Sequence, residues 1–546
     1  MYCDKPHINQ LTALLKEHGF EDIVVCPGSR NGILVHNFNA ARFRLHPVTD
    51  ERSAAFVALG LCLSTHRSVA ICVTSGSALL NTIPAVAEAY YRQLPLLVIS
   101  ADRPKEWINQ LDGQTLSQNN ALLPYANTYT IEEAGNQIEE NWNNLRMNEA
   151  ILALGCNGGH PVHINLPISE PLFSFHTETL PEERIIQEKL TENINPLPEE
   201  ILQRIREAKF PIIVMGQFER GRLNDVAEIE RQGSVLFLPE MITHQDFSWR
   251  TTALEHLLPE YDFSPDLIIH IGGNLVNKQL KLHLRKLDSC EVIRIEPTQQ
   301  MPDTFLHLTT IVRTSPEAAL KQIATIKGAK PLVRKYQKDL DFYHSKLDTY
   351  PPIKFSDIGV LQKFCQDLPT ECAFQIGNSS VIRNATYFLT ERNAELFCNR
   401  GVNGIEGSLS TAVGYALGSS SLTFCLIGDL SFFYDQNALW NKQLPQNLRI
   451  ILFNNEGGQI FYRLPGLDQT PALSPYIAAS HHTHAQGIAQ SYGLTYMKAH
   501  NYDELEKCLP LLKQGQSPCP ILLEVFTRKE DNETELKNIK QYYKTL

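Results

Sequence analysis

The chain lacks what a membrane protein, a disulfide scaffold or a nucleic-acid binder would need. No apolar run approaches the roughly 18 residues that cross a bilayer. The start, Met1-Tyr2-Cys3-Asp4-Lys5, holds no apolar signal core. Positive charge is in deficit: 49 Lys and Arg against 60 Asp and Glu leave a net −11. That balance opposes general binding to nucleic acid or to an anionic membrane, and no stable membrane insertion is expected. The twelve cysteines form no Cys-x-x-Cys, and Cys26, Cys62, Cys72 and Cys425 sit in apolar segments. They read as reduced core thiols, which suits a cytoplasmic location. Gly-x-Ser-x-Gly elbows and Walker loops are absent, which removes two common catalytic signatures.

What is present is an α/β rhythm. At 546 residues the chain exceeds one core, and about three domains are expected. Apolar strands at 23–26, 46–49, 69–73 and 94–99 alternate with helical patterns. The loops that follow them are Pro27-Gly28-Ser29-Arg30, Thr74-Ser75-Gly76-Ser77 and Ala101-Asp102-Arg103-Pro104. Repeated units of this kind imply a parallel sheet covered on both faces, with ligand crevices at the strands' carboxyl ends. A Glu-, Thr- and Pro-rich stretch over 171–200 marks a boundary, and a charged, aromatic stretch over 328–352 reads as a helical linker. The expected fold is α/β with three doubly wound parallel-sheet domains, at 1–180, 190–335 and 350–546. The first and third share one rhythm, which suggests an ancient pair.

Two motifs in the third domain carry the most information. Gly428-Asp429-Leu430-Ser431 closes an apolar strand at 422–427, and Asn454-Asn455-Glu456-Gly457-Gly458 closes another at 448–453. The segment 432–444 has the length of a crossover helix, which would put Asp429 and Asn455 at neighbouring strand tips. Each half alone also fits an Asx turn or a helix cap. Together they suit a Mg²⁺ ion held by the Asp429 carboxylate, the Asn455 amide and the Gly457 carbonyl, with a diphosphate as its other ligand. Ser431 could add a hydroxyl and an N–H to phosphate. This pattern points to thiamine diphosphate.

Other features are weaker. Glu51 opens a helix over 50–64, where Thr49 would cap and an acidic turn would oppose the dipole. The sharper alternative sets Glu51 against the aminopyrimidine ring of thiamine. Ile405, in Arg400-Gly401-Val402-Asn403-Gly404-Ile405-Glu406-Gly407, is either core or a wedge that bends the cofactor. Arg30, Arg103, Arg383 and Arg400 stand in strand-end loops of an acidic chain and point to a substrate with several carboxylates. Gly272-Gly273-Asn274 is a tight turn or a nucleotide loop. His481-His482-Thr483-His484 is a polar helix start or a metal cluster.

The combination of Cys-Pro-Gly-Ser-Arg, Thr-Asp-Glu-Arg, Thr-Ser-Gly-Ser-Ala, Ala-Asp-Arg-Pro, Gly-Asn-Ser, Asn-Arg-Gly-Val-Asn-Gly-Ile-Glu-Gly and the paired metal motif resembles the thiamine-diphosphate decarboxylase superfamily. Within it, the chain is similar to the MenD family of menaquinone-pathway 2-succinyl-5-enolpyruvyl-6-hydroxy-3-cyclohexene-1-carboxylate synthases. The matching motifs run from about 23 to 464. The resemblance implies a transferase that decarboxylates 2-oxoglutarate and adds the succinyl-semialdehyde carbanion equivalent to isochorismate, using thiamine diphosphate and Mg²⁺ or Mn²⁺. It implies Glu51 as cofactor activator, Asp429, Asn455 and Gly457 as metal ligands, and Leu430, Ser431 and Ile405 on the cofactor. Ser29, Arg30, Arg103, Gln114, Lys278, Ser379, Arg383 and Arg400 match substrate-binding positions, and Ile460, Phe461 and Leu464 an apolar wall. It further implies a homodimer or tetramer with the site between subunits, so that Glu51 of one chain faces Asp429 of another. Gly113 stands where the family usually shows Asn, and Glu456 where it shows Asn. An acetohydroxyacid-synthase-like enzyme and a catalytically silent thiamine-fold protein remain the alternatives.

Overall fold

Apolar, β-branched runs set the strands, and every ladder between them is parallel. The computed structural model describes residues 1–155, 159–188, 196–219, 223–258, 261–389 and 394–546. The first sheet holds β1 (Asp22–Val25), β2 (Arg44–Pro47), β3 (Val69–Val73), β4 (Leu96–Asp102), β5 (Asn127–Thr130) and β6 (Val162–Pro167), in the order β2-β1-β3-β4-β6-β5. The second holds β7 (Pro211–Met215), β8 (Leu236–Pro239), β9 (Leu267–Ile271), β10 (Glu291–Ile295) and β11 (Leu308–Val312), in the order β11-β10-β9-β7-β8. The third holds β12 (Cys372–Ile376), β13 (Ala394–Phe397), β14 (Leu422–Gly428), β15 (Leu448–Asn454), β16 (Thr495–Ala499) and β17 (Ile521–Phe526), in the order β13-β12-β14-β15-β17-β16. These are three parallel-sheet α/β units. The 190 boundary expected from the sequence falls outside the described residues. A helix at Pro331–Asp348 connects the second unit to the third.

Central strands such as β3 and β15 are buried along their whole length, as a sheet covered on both faces requires. The first and third units share a single apolar core. Ala54, Val57 and Leu61 of the helix Glu51–Thr65 pack with Leu409, Ala412 and Val413 of the helix Ser408–Gly418. Glycines set how close these helices come. A Cβ built on Gly414 would lie 2.0 Å from the Val57 carbonyl oxygen, and one on Gly60 would lie 2.2 Å from that of Thr411. The two backbones therefore touch, and no side chain fits between them.

Two local expectations are corrected. The crossover after β14 is not one helix over 432–444: it is a short α-helix, Asp429–Tyr434, then a 3₁₀ turn, Gln436–Leu439. The break falls at Asp435, a buried residue whose carboxylate accepts the N–H and Oγ–H of Ser410, each at 2.8 Å. Binding the start of another helix takes precedence there over continuing its own. The helix bearing Glu51 is capped by Asp50, not Thr49. Asp50 Oδ1 accepts the N–H groups of Arg52 (2.9 Å) and Ser53 (3.3 Å).

Candidate active site

The strand register brings the two motifs together. β14 pairs with β15, Gly428 opposite Phe453, so both loops leave the same edge of the sheet. Asp429 is 3% exposed, and its Oδ2 accepts the N–H of Asn455 (3.1 Å) and of Gly457 (2.9 Å). Its Oδ1 accepts the N–H of Leu430 at 2.6 Å. One carboxylate thus ties both loops into a single knot. Gly457 has φ +137°, and a Cβ there would lie 2.8 Å from the Ala478 carbonyl oxygen; the loop needs glycine at this place. Asn455 Nδ2 donates to Asp357 Oδ2 at 2.9 Å, which leaves the amide oxygen for another partner. Glu456 turns out of the knot and pairs with His482 Nδ1 at 2.9 Å.

An oxygen-only set of carboxylate, amide and carbonyl fits a hard divalent cation such as Mg²⁺. The histidine-rich loop contributes one neighbour: His481 Nε2 lies 3.5 Å from Asp429 Oδ2, and Asp429 holds its pKa above the ordinary histidine value. Among the described residues no group of three or more His, Cys, Asp or Glu could hold a metal. Ser431 is buried at the start of the short helix, and Leu430 is half-buried. Ile405 is 40% exposed. Its loop is held by Asn378 Nδ2, which donates to the carbonyls of Asn399 and Gly404, both at 2.7 Å.

Two of the arginines lie on the third unit and two on the first. Arg383 and Arg400 are neighbours on the third unit. Burial first, and Arg400 second, lower the pKa of the Arg383 guanidinium. Arg383 donates to the Ser379 carbonyl at 2.7 Å. Arg463 belongs to the same basic patch, as does Lys281, whose ammonium is disfavoured by burial, Arg285, Arg400 and Lys278 in that order. Lys278 is exposed at the start of the helix Lys278–Leu284. Ile460 and Phe461 are half-buried and Leu464 is 43% exposed, on and just past the short helix Gln459–Arg463.

The other two arginines lie on the first unit. Arg30 donates to the Ile168 carbonyl (2.6 Å) and to Glu170 (3.0 Å), and Arg103 pairs with Asp112 at 2.9 Å. Ser29, next to Arg30 in sequence, is exposed. Gln114, at φ +55°, covers Gly76 closely enough that a Cβ on the glycine would meet its backbone at 3.3 Å. Among the described residues, Arg103 Nε and Arg400 Nε are buried with no hydrogen-bond partner. Unspent donors of that kind fit an anionic ligand.

Glu51 is half-buried and accepts one hydrogen bond, from Asn81 at 3.3 Å. Because Asp50 does the capping, the Glu51 carboxylate is free for a ligand. No hydrogen bond among the described residues joins Glu51 to Asp429, Asn455 or Gly457 within this chain. Gly272-Gly273-Asn274 is a packed turn between units. Gly273 N–H donates to Gln217 O at 2.8 Å, and Asn274 Nδ2 donates to the carbonyls of Arg400 and Gly401. It also lines a cavity of about 690 Å³ between the first and second units, with Arg92, Lys281 and Arg294. That cavity does not include the knot.

Sequence reasoning missed three buried acids near these loops. Glu88 accepts the N–H groups of Gly401 and Val402, each at 2.8 Å. Glu240 accepts the N–H of Asn277 at 2.8 Å, and burial pushes its pKa up to about 7. Asp357 holds Asn455. Each sits in an element with no motif of its own, so only its contacts reveal it.

The paired strand tips and the two six-stranded sheets define a class, the thiamine diphosphate enzymes. Residues 8–122 match the family model described as thiamine pyrophosphate enzyme, N-terminal TPP binding domain. Full-length relatives narrow the class. The chain is 41% identical over 569 aligned positions to a 2-succinyl-5-enolpyruvyl-6-hydroxy-3-cyclohexene-1-carboxylate synthase of Phocaeicola vulgatus, covering 100% of this chain and 99% of that protein. It is 38% identical to the protein of the same name from Bacteroides thetaiotaomicron (100% of both) and 37% to that from Flavobacterium johnsoniae (97% and 96%). The chain belongs to the 2-succinyl-5-enolpyruvyl-6-hydroxy-3-cyclohexene-1-carboxylate synthase family.

Proposed function

We propose that the chain decarboxylates 2-oxoglutarate and joins the remaining succinyl-semialdehyde unit to isochorismate, in the cytoplasm, as a step of menaquinone synthesis. The observation that carries this reading is the Asp429 knot, an oxygen-donor set at the tips of β14 and β15. Among the described residues no helix is long and apolar enough to cross a membrane.

Asp429, Asn455 and the Gly457 carbonyl would hold Mg²⁺ or Mn²⁺, and Leu430 and Ser431 would lie against the cofactor's diphosphate. Thiamine diphosphate, when bound, supplies the sink for the electron pair released as carbon dioxide leaves. Ile405 would support the cofactor from the glycine-rich loop. Glu51 would hydrogen-bond the aminopyrimidine nitrogen of the cofactor and so hold a proton there. Arg383, Arg400 and Lys278 bind substrate carboxylates from one side, and Arg30, Arg103, Ser29 and Gln114 from the other. Ser379 helps to orient them, and Ile460, Phe461 and Leu464 exclude water. A homodimer, or a tetramer of two such pairs, in which a second copy completes each site belongs to this reading, and the lack of any hydrogen bond among the described residues between Glu51 and the Asp429 knot agrees with it.

The test is direct. The protein is incubated with thiamine diphosphate, Mg²⁺, 2-oxoglutarate and isochorismate, and the absorbance of isochorismate is followed. Its loss supports the reading. Carbon dioxide released from pyruvate with isochorismate untouched would favour an acetohydroxyacid-synthase-like enzyme instead. Glu51→Gln should abolish turnover while leaving cofactor and metal binding intact.

A further inference from the structure

An amide ligand presents a choice that a carboxylate does not. Its two ends are alike in size, but only the oxygen can ligate a hard cation. Something must set which end of Asn455 points inward. The structure assigns this task to Asp357: we propose that it is a positioning residue, holding the Asn455 nitrogen outward so that the oxygen faces the metal. The inference rests on Asn455 as a metal ligand.

Asp357 opens the helix Asp357–Phe364, and an acidic residue there would ordinarily face solvent and oppose the helix dipole. Ser356 already caps that helix through its bond from Gly359 N–H at 3.2 Å. Asp357 instead is 5% exposed and turned inward. Burying a carboxylate is costly unless its lone pairs are satisfied, and here they are. Oδ2 accepts Asn455 Nδ2 at 2.9 Å and Oδ1 accepts Thr527 Oγ1 at 2.5 Å.

The surrounding groups close a ring. The Asp357 N–H donates to Asn532 Oδ1 at 2.8 Å. Asn532 Nδ2 donates to Gln459 Oε1 (3.0 Å) and to Thr527 Oγ1 (3.2 Å). Gln459 Nε2 then donates to the Asn455 carbonyl at 3.1 Å. Asn455 is therefore gripped at its side-chain nitrogen and at its backbone oxygen, and its side-chain oxygen has no hydrogen-bond partner among the described residues. An acceptor-only carboxylate at Oδ2 forbids the flipped amide, because two oxygens would meet.

The full-length protein, freed of metal and supplied with thiamine diphosphate, is titrated with Mn²⁺, and free Mn²⁺ is read by electron paramagnetic resonance. Asp357→Ala should weaken Mn²⁺ binding about 10- to 100-fold, the range for lost outer-shell partners. Asp357→Asn should retain most of the affinity, since its carbonyl still accepts from Asn455 and its amide donates to Thr527. Wild-type affinity in folded Asp357→Ala, or an equal loss in Asp357→Asn, overturns the positioning role. Should Asp357→Ala not fold, Thr527→Val removes the hydroxyl that steers the carboxylate, and weaker Mn²⁺ binding is expected there; unchanged binding counts against the proposal. Asn455→Ala separates the two ideas. If it binds Mn²⁺ like the parent, the ligand assignment and the inference fall together. If it loses the metal while Asp357→Ala keeps it, only the inference falls.

Discussion

The Glu88 carboxylate, in a helix of the first unit, grips the backbone of Gly401, 313 residues further along. Its second oxygen takes the N–H of Val402. Next to it in sequence, Arg400 donates to Leu275 O at 3.2 Å and to Asn378 Oδ1 at 3.3 Å. All three units thus meet on one short loop. Arg92 completes the junction, 3.9 Å from Glu88 and 2.8 Å from Glu219.

This arrangement makes Glu88 a control on Arg400. Glu88→Ala removes the acceptor from the Gly401 and Val402 N–H groups, while Arg92 keeps Glu219 at 2.8 Å, and should cost about 1–3 kcal/mol of stability, the range for groups left without a hydrogen-bond partner. Where the variant stays folded, KM for 2-oxoglutarate should rise, because Arg400 is no longer held. Glu88→Gln, with one accepting oxygen, should fall between. Steady-state kinetics and thermal unfolding check both, and an unchanged KM in the Ala variant would contradict the assignment.

Glu240 gives stability a pH dependence. Its pKa is about 7 in the folded chain, raised by burial from an ordinary carboxyl value. The folded state therefore holds a proton that the unfolded state releases. The stabilisation is complete below the unfolded pKa and is lost as pH rises through about 7. Glu240→Gln, which keeps an acceptor for Asn277, should flatten this slope and stabilise the protein at pH 8 by on the order of 2–3 kcal/mol. Denaturant unfolding across pH measures it; parallel curves for parent and variant would refute it.

Gly414→Ala tests the backbone contact between the two helices. The new methyl would stand 2.0 Å from the Val57 carbonyl oxygen, and overpacking against backbone should cost about 1–3 kcal/mol or more. Gly487→Ala is the control, with nothing within 4 Å of its Cβ. It should be neutral or slightly stabilising. Equal melting points for the two variants would remove the contact from the account.

Gly113→Asn should be accepted. A Cβ at Gly113 meets nothing within 4 Å, and the loop beside Gln114 is exposed. Melting temperature and kcat should stay close to the parent values. A lower melting temperature would show that the loop needs glycine.

The strands, and the meeting of Asp429 with Asn455, were legible because each signal is local: an apolar run ends in a polar loop, and one strand–helix–strand spacing separates the two. The cap at Asp50 was not, since Thr and Asp both cap well and sequence cannot choose between adjacent candidates. Nor was the break at Asp435, which depends on Ser410 in another helix. Glu88 and Asp357 stayed hidden for the same reason. Their partners lie 313 and 98 residues away, and a lone acid on an amphipathic helix looks like any solvated charge.

The first and third sheets share one strand order, and the helices carrying Gly60 and Gly414 press together through reciprocal glycine-to-carbonyl contacts. Such reciprocity is what two identical subunits make about a dyad. The joint between the first and third units thus has the reciprocal form of a contact between like partners, although one polypeptide supplies both.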